Sequence, residues 1–156
     1  MSGALCLRNR QRRRGVDLHL LRHILNRLLS DLGANDFDLT VHLIGESEMT
    51  RLNETCLRHA GSTDVITFDY AEPKDSLAGE IFVCVDEALV QAARFRTSWQ
   101  EELARYIIHG TLHLLGHDDL RPTARRRMKR EEGRRLKKLA RDFRLSKLAR
   151  KPKVTA

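Results

Sequence analysis

Apolar residues recur along this chain with two periods, one helical and one alternating, and their succession lays out a fold. Residues 5–7 form a short apolar stretch suited to an edge strand. After an arginine-rich loop at 12–14, Asp17 stands as a helix N-cap. Leu18, Leu21, Leu25, Leu28 and Leu32 follow at helical spacing until Gly33 ends the element. Phe37, Leu39, Val41 and Leu43 alternate with polar neighbours, the pattern of a half-buried strand with His42 on its polar face. Gly45 turns the chain into a short helix over 46–57, predicted to point Met49, Leu52 and Cys56 inward. Residues 65–68 and 79–85 read as two further strands, and 69–78 between them, with Pro73, reads as a mobile loop. Asp86 opens a helix that turns Ala88, Leu89, Ala92 and Ala93 to the core. Ser98 and Glu101 make an S-x-x-E capping box for the next helix, whose apolar stripe is Leu103, Tyr106, Ile107 and Leu114. Pro122 suits the first turn of a last helix, with Met128, Leu136, Leu139 and Phe143 inward.

Four strands interleaved with about five helices predict an α/β or α+β domain. The hairpin-length connection before Gly79 allows one antiparallel pair, so the expected sheet is mixed. With 156 residues and no repeat or linker, a single domain over 1–156 is expected. No stretch approaches the ~20 apolar residues of a membrane span, and the arginine-rich start lacks the apolar core of a secretory signal. Cys6, Cys56 and Cys84 form no CxxC pair and read as reduced thiols of a cytoplasmic protein.

Charge adds a second layer. The net charge is +8, yet residues 121–153 carry 16 Lys or Arg against Glu131, Glu132 and Asp142. A mildly acidic body thus bears a strongly basic C-terminal helix and tail over 121–156. That is the electrostatic footprint of a nucleic-acid binder.

Between body and tail lies the most informative run, His109-Gly110-Thr111-Leu112-His113-Leu114-Leu115-Gly116-His117-Asp118-Asp119. His109 and His113 are four apart, so on a helix they share a face and can converge on one ion. Gly116 is where such a helix should stop. On a straight helix His117 would lie about 12 Å beyond His109, out of reach of a shared metal. Past the break, either His117 or Asp119 can swing in, and the H-x3-H-x2-G-x2-[H/D] spacing favours Asp119. The expected site is a single metal ion on His109, His113 and Asp119 at the C-terminal end of a central helix, with a position left for water. The H-E-x-x-H glutamate of helical metallopeptidases is replaced by Gly110, which removes that enzyme's proton acceptor. His19 and His23 are also four apart but have no third donor spaced nearby.

The chain resembles the YbeY-type metal-dependent endoribonucleases. The resemblance rests on the run His109–Asp119, the Leu52-Asn53 pair, the block Thr63-Asp64-Val65-Ile66-Thr67-Phe68, Gly79-Glu80-Ile81, and Met128 with Glu132. It spans most of the chain, from about Leu5 to Leu139. It implies a mixed sheet with helices, a bound zinc, and cytoplasmic cleavage of single-stranded RNA. It further implies small-subunit rRNA 3′-end processing and ribosome quality control, with the small subunit or its assembly proteins as partners and no DNA substrate. Two positions depart from the family pattern. Asp119 stands where a histidine is common, and the usual arginine four residues after the Asn is Leu57, with Arg58 one further on.

For the chemistry, His117 and Asp118 are the nearest candidates for a proton acceptor, and Arg58 for holding the RNA backbone. Few aromatic residues are available, so extensive base stacking is not expected. Two other classes compete: a zinc-containing ribosome-assembly or RNA-binding factor without catalysis, and a zinc metallopeptidase, which Gly110 argues against.

Overall fold

The structure, a computed structural model, describes residues 3–56, 63–72, 76–117 and 119–151. Strand β1 (Gly3–Asn9) leads to helix α1 (Leu18–Asp31), strand β2 (Phe37–Ile44) and helix α2 (Glu46–Cys56). Strands β3 (Val65–Asp69) and β4 (Leu77–Cys84) follow. Helices α3 (Val85–Phe95), α4 (Trp99–Leu114) and α5 (Pro122–Asp142) come next, then a 3-10 turn at Leu145–Leu148. The sheet runs β1-β2-β4-β3. The first three strands in that order are parallel, and β3 pairs antiparallel with β4, Val65 opposite Val83. The expected mixed four-stranded α/β sheet is what forms.

Helix boundaries follow their caps. The Asp17 carboxylate accepts from the Leu20 amide at 3.0 Å, and the Ser98 hydroxyl from the Glu101 amide at 3.1 Å. Gly116 ends α4 at a φ of +103°, a conformation open to glycine at little cost. The main core lies between one sheet face and α1, α3, α4 and α5, with Leu21, Leu43, Ile81, Leu103 and Ile107 fully buried. A smaller cluster, Ile44, Met49, Ile66, Phe82 and Cys84, packs α2 on the opposite face.

That second cluster corrects one expectation. Alternation along β2 predicts a polar, solvated face for His42, yet its ring is buried and stacked on Phe82, with centroids 4.2 Å apart. Val41 and Leu43 face the main core, so His42 between them faces the second cluster and not water. Both its ring nitrogens are buried without a hydrogen-bond partner among the described residues, and the Glu80 carboxylate stands 3.6 Å from Nε2. On α2, Asn53 is buried while Cys56 is exposed, and on α3, Ala93 is exposed, so the inward assignments of Cys56 and Ala93 fail. Of the 69–78 connection, residues 73–75 lie outside the described residues.

The C-terminal segment is not a free tail through Lys151. Leu145 and Leu148 are buried, the Asp17 amide donates to the Leu148 carbonyl at 2.8 Å, and Val16 bridges Ala149. Among the described residues no helix is long and apolar enough to cross a membrane.

Candidate active site

Helix α4 lies across the sheet and carries the histidines at its C-terminal end. Its close approach depends on Gly110: a Cβ there would stand 2.8 Å from Ile81 Cγ2 and 3.2 Å from Thr67 Cγ2. Residue 110 therefore faces the sheet, while His109 beside it faces a cleft between α3, α4 and α5. A side chain at 110 would meet the sheet, so the glutamate of the H-E-x-x-H peptidases has no room at this position.

The cleft encloses about 560 Å³. His109 and Asp119 line it together with Asp64, Arg105, Arg125 and Glu132. His109 Nδ1 is 2.9 Å from Glu132 Oε2, and its Nε2 is 3.8 Å from Asp119 Oδ2. Glu132 is buried, so it fixes the imidazole and leaves Nε2 as the nitrogen that faces the cleft. The hydrogen bond to Glu132 holds His109 above its ordinary pKa, against burial, which lowers it; the charges of Glu132, Asp119 and Asp64 add to the rise. Burial keeps the Tyr106 phenol well above its usual range, so this cleft residue is a hydrogen-bond donor and not a base. Its hydroxyl lies 3.5 Å from the Glu87 carbonyl.

The structure brings His109 and Asp119 together. His113, one turn further along α4, is exposed, and neither it nor His117 is among the residues lining the cleft. Among the described residues no three His, Cys, Asp or Glu side chains gather closely enough to hold an ion. Arg58 and Asp118 lie outside the described residues. Asp64 lines the cleft, but its carboxylate accepts from the Val65 amide at 2.8 Å, and Glu132 is the carboxylate on the histidine.

Glu132 and Arg105 were not read as site residues from the sequence, though both had a signal. Glu132 falls on the buried stripe of α5 with Met128, Leu136 and Leu139, and a carboxylate on an apolar stripe requires a partner. Arg105 precedes His109 by one turn and shares its face.

The comparisons with known proteins agree with this architecture. The family model described as Endoribonuclease YbeY matches residues 7–140. A protein of Chlorobium phaeovibrioides named Endoribonuclease YbeY is 36% identical over 125 residues, 80% of this chain and 84% of that one. One of the same name from Chlorobium luteolum is 34% identical over 129 residues, 83% and 93% of the two chains. The solution structure of TM1509 from Thermotoga maritima superposes with a TM-score of 0.68 at 25% identity, covering 90% of this chain and 91% of its own. With the family model matched from the sheet through the histidine helix to the buried stripe of α5, this chain belongs to the YbeY endoribonuclease family.

Proposed function

We propose that the protein is a zinc-dependent endoribonuclease that cuts single-stranded RNA in the cytoplasm. Its substrate is the 3′ end of small-subunit rRNA, and its wider role is ribosome maturation and quality control. The observation that carries the reading is His109, turned by buried Glu132 so that Nε2 faces the Asp119 carboxylate in a cleft rimmed by arginines. An imidazole whose second nitrogen is held by a carboxylate, opposite an oxygen donor, is a donor pair that suits zinc.

His109, His113 and Asp119 would hold the ion, His113 from outside the cleft lining, with His117 the alternative to Asp119. When bound, zinc supplies a Lewis acid beside the scissile phosphate. The chain's own residues do the rest. Glu132 keeps the His109 ring in one orientation. Arg105, Arg125 and Lys129 neutralise backbone phosphates around the cleft, a contact that positions RNA without reading its sequence. His117 and Asp118 are the proton acceptors nearest in sequence to the donor pair, and Arg58, outside the described residues, is the candidate for holding the RNA backbone. Attack by the RNA 2′-hydroxyl leaves a 2′,3′-cyclic phosphate, whereas attack by water leaves none, so the product ends identify the nucleophile.

The test is zinc content and cleavage of single-stranded RNA, measured on the same samples of wild type, His113→Ala and Asp119→Ala. Zinc bound by the wild type and lost in both variants, together with cleavage, is expected. Full zinc in Asp119→Ala moves the third donor to His117. A folded, zinc-loaded wild type that binds RNA without cutting it would leave a binding factor in place of an enzyme.

A further inference from the structure

One exposed aromatic ring lies in the cleft wall. Phe95, the last residue of α3, is 61% exposed and lines the same cleft. The other large exposed apolar side chains among the described residues, Tyr70, Val90, Leu115 and Leu120, do not line it. The Arg94 guanidinium sits over the Phe95 ring, 5.4 Å from its centroid.

The ring stands on a fixed corner. Arg96 ends α3 in the left-handed region at a φ of +57°. The Thr97 hydroxyl then donates to the buried Glu102 carboxylate at 2.8 Å, and Ser98 caps α4. This corner joins α4 at Glu102, seven residues before His109, which is roughly 10 Å along the helix. Arg105 lies between them on the same face and lines the cleft.

We propose that Phe95 is a stacking platform for a nucleobase flanking the cleaved linkage, with Arg105 on the intervening phosphate. Phe95 thereby makes cleavage depend on the base at one fixed offset. This inference rests on the endoribonuclease reading. A planar ring left in water beside basic side chains fits a single-stranded polyanion whose bases offer π-faces. Stacking of that kind tolerates any base but favours purines, which overlap a ring more fully. Extensive stacking is not required, because one platform suffices to set an offset.

The experiment uses the full chain with its metal and short single-stranded oligouridylates carrying 2-aminopurine at each position in turn, read at early times before the RNA is cut. The wild type should quench the probe at one position, Phe95→Trp should keep that quenching, and Phe95→Ala should lose it. An abasic nucleotide at that position should weaken wild-type binding by about tenfold and leave Phe95→Ala binding unchanged. RNA bound with the same profile in wild type and Phe95→Ala overturns the platform and leaves the endoribonuclease reading standing. A wild type that binds no single-stranded RNA even at low salt overturns both.

Discussion

At the scale of single residues, His42 shows how a polar group inside a core couples folding to pH. Burial lowers its pKa below the ordinary 6.5, outweighing the nearby Glu80 charge, and the Arg10 and Arg8 charges lower it further. The folded state therefore favours the neutral ring. Well above pH 6.5 neither state is charged and nothing is lost. As pH falls below 6.5 the unfolded chain takes up the proton first, so stability falls with it until the folded value is reached. Wild type should lose more of its urea midpoint than His42→Phe between about pH 7.5 and about pH 5.5, roughly one unit either side of the ordinary histidine value. Parallel curves for the two proteins would show that His42 contributes no linkage. The alternation in β2 identified which residues share a face with Leu43, but not that the opposite face would also be covered. That depended on α2, where Met49 is buried as its spacing predicts but Cys56 is exposed.

Elements show the same division. The helical stripe, Ser98 cap and Gly116 stop of α4 are local and were legible from sequence. Why residue 110 is glycine was not, because its neighbours Ile81 and Thr67 come from β4 and β3. Two effects oppose each other in Gly110→Ala. Alanine gains about 1 kcal/mol of helix propensity. Overpacking against Ile81 costs about 1–3 kcal/mol, since a branched methyl in the sheet cannot swing away. Packing should win, with a net loss of about 1 kcal/mol in chemical denaturation. A more stable Gly110→Ala would mean that α4 can lift from the sheet freely. The Glu132–His109 contact has the same origin: each side chain is on the predicted face of its own helix, and only the packing of α5 on α4 makes them meet.

For the molecule as a whole, the basic C-terminal segment is two things at once. Part of its charge is engaged within the fold: Arg135 pairs with Glu131 at 2.8 Å and Lys138 with Asp31 at 3.1 Å, while Asp142 pairs with Arg27 at 3.0 Å. Arg125 and Lys129 are the part that reaches the cleft. Beyond α5 the chain returns to the core, where Leu148 is fully buried. Leu148→Ala should cost about 2–5 kcal/mol, as for other buried leucines, while Arg150→Ala, exposed nearby, should change stability little. Equal midpoints for the two variants would make the segment an appendage after all.

The sequence by itself determined the elements, the order of strands and helices along the chain, the candidate donors and the family, because caps, periodicity and the His109–Asp119 run are written in neighbouring residues. Only the tertiary structure decided which donors stand together, that Glu132 orients His109, that Gly110 belongs to the sheet contact, and that Phe95 lines the cleft. Those facts join residues from different elements, and local spacing can mark a buried carboxylate such as Glu132 without showing which partner the packing brings to it.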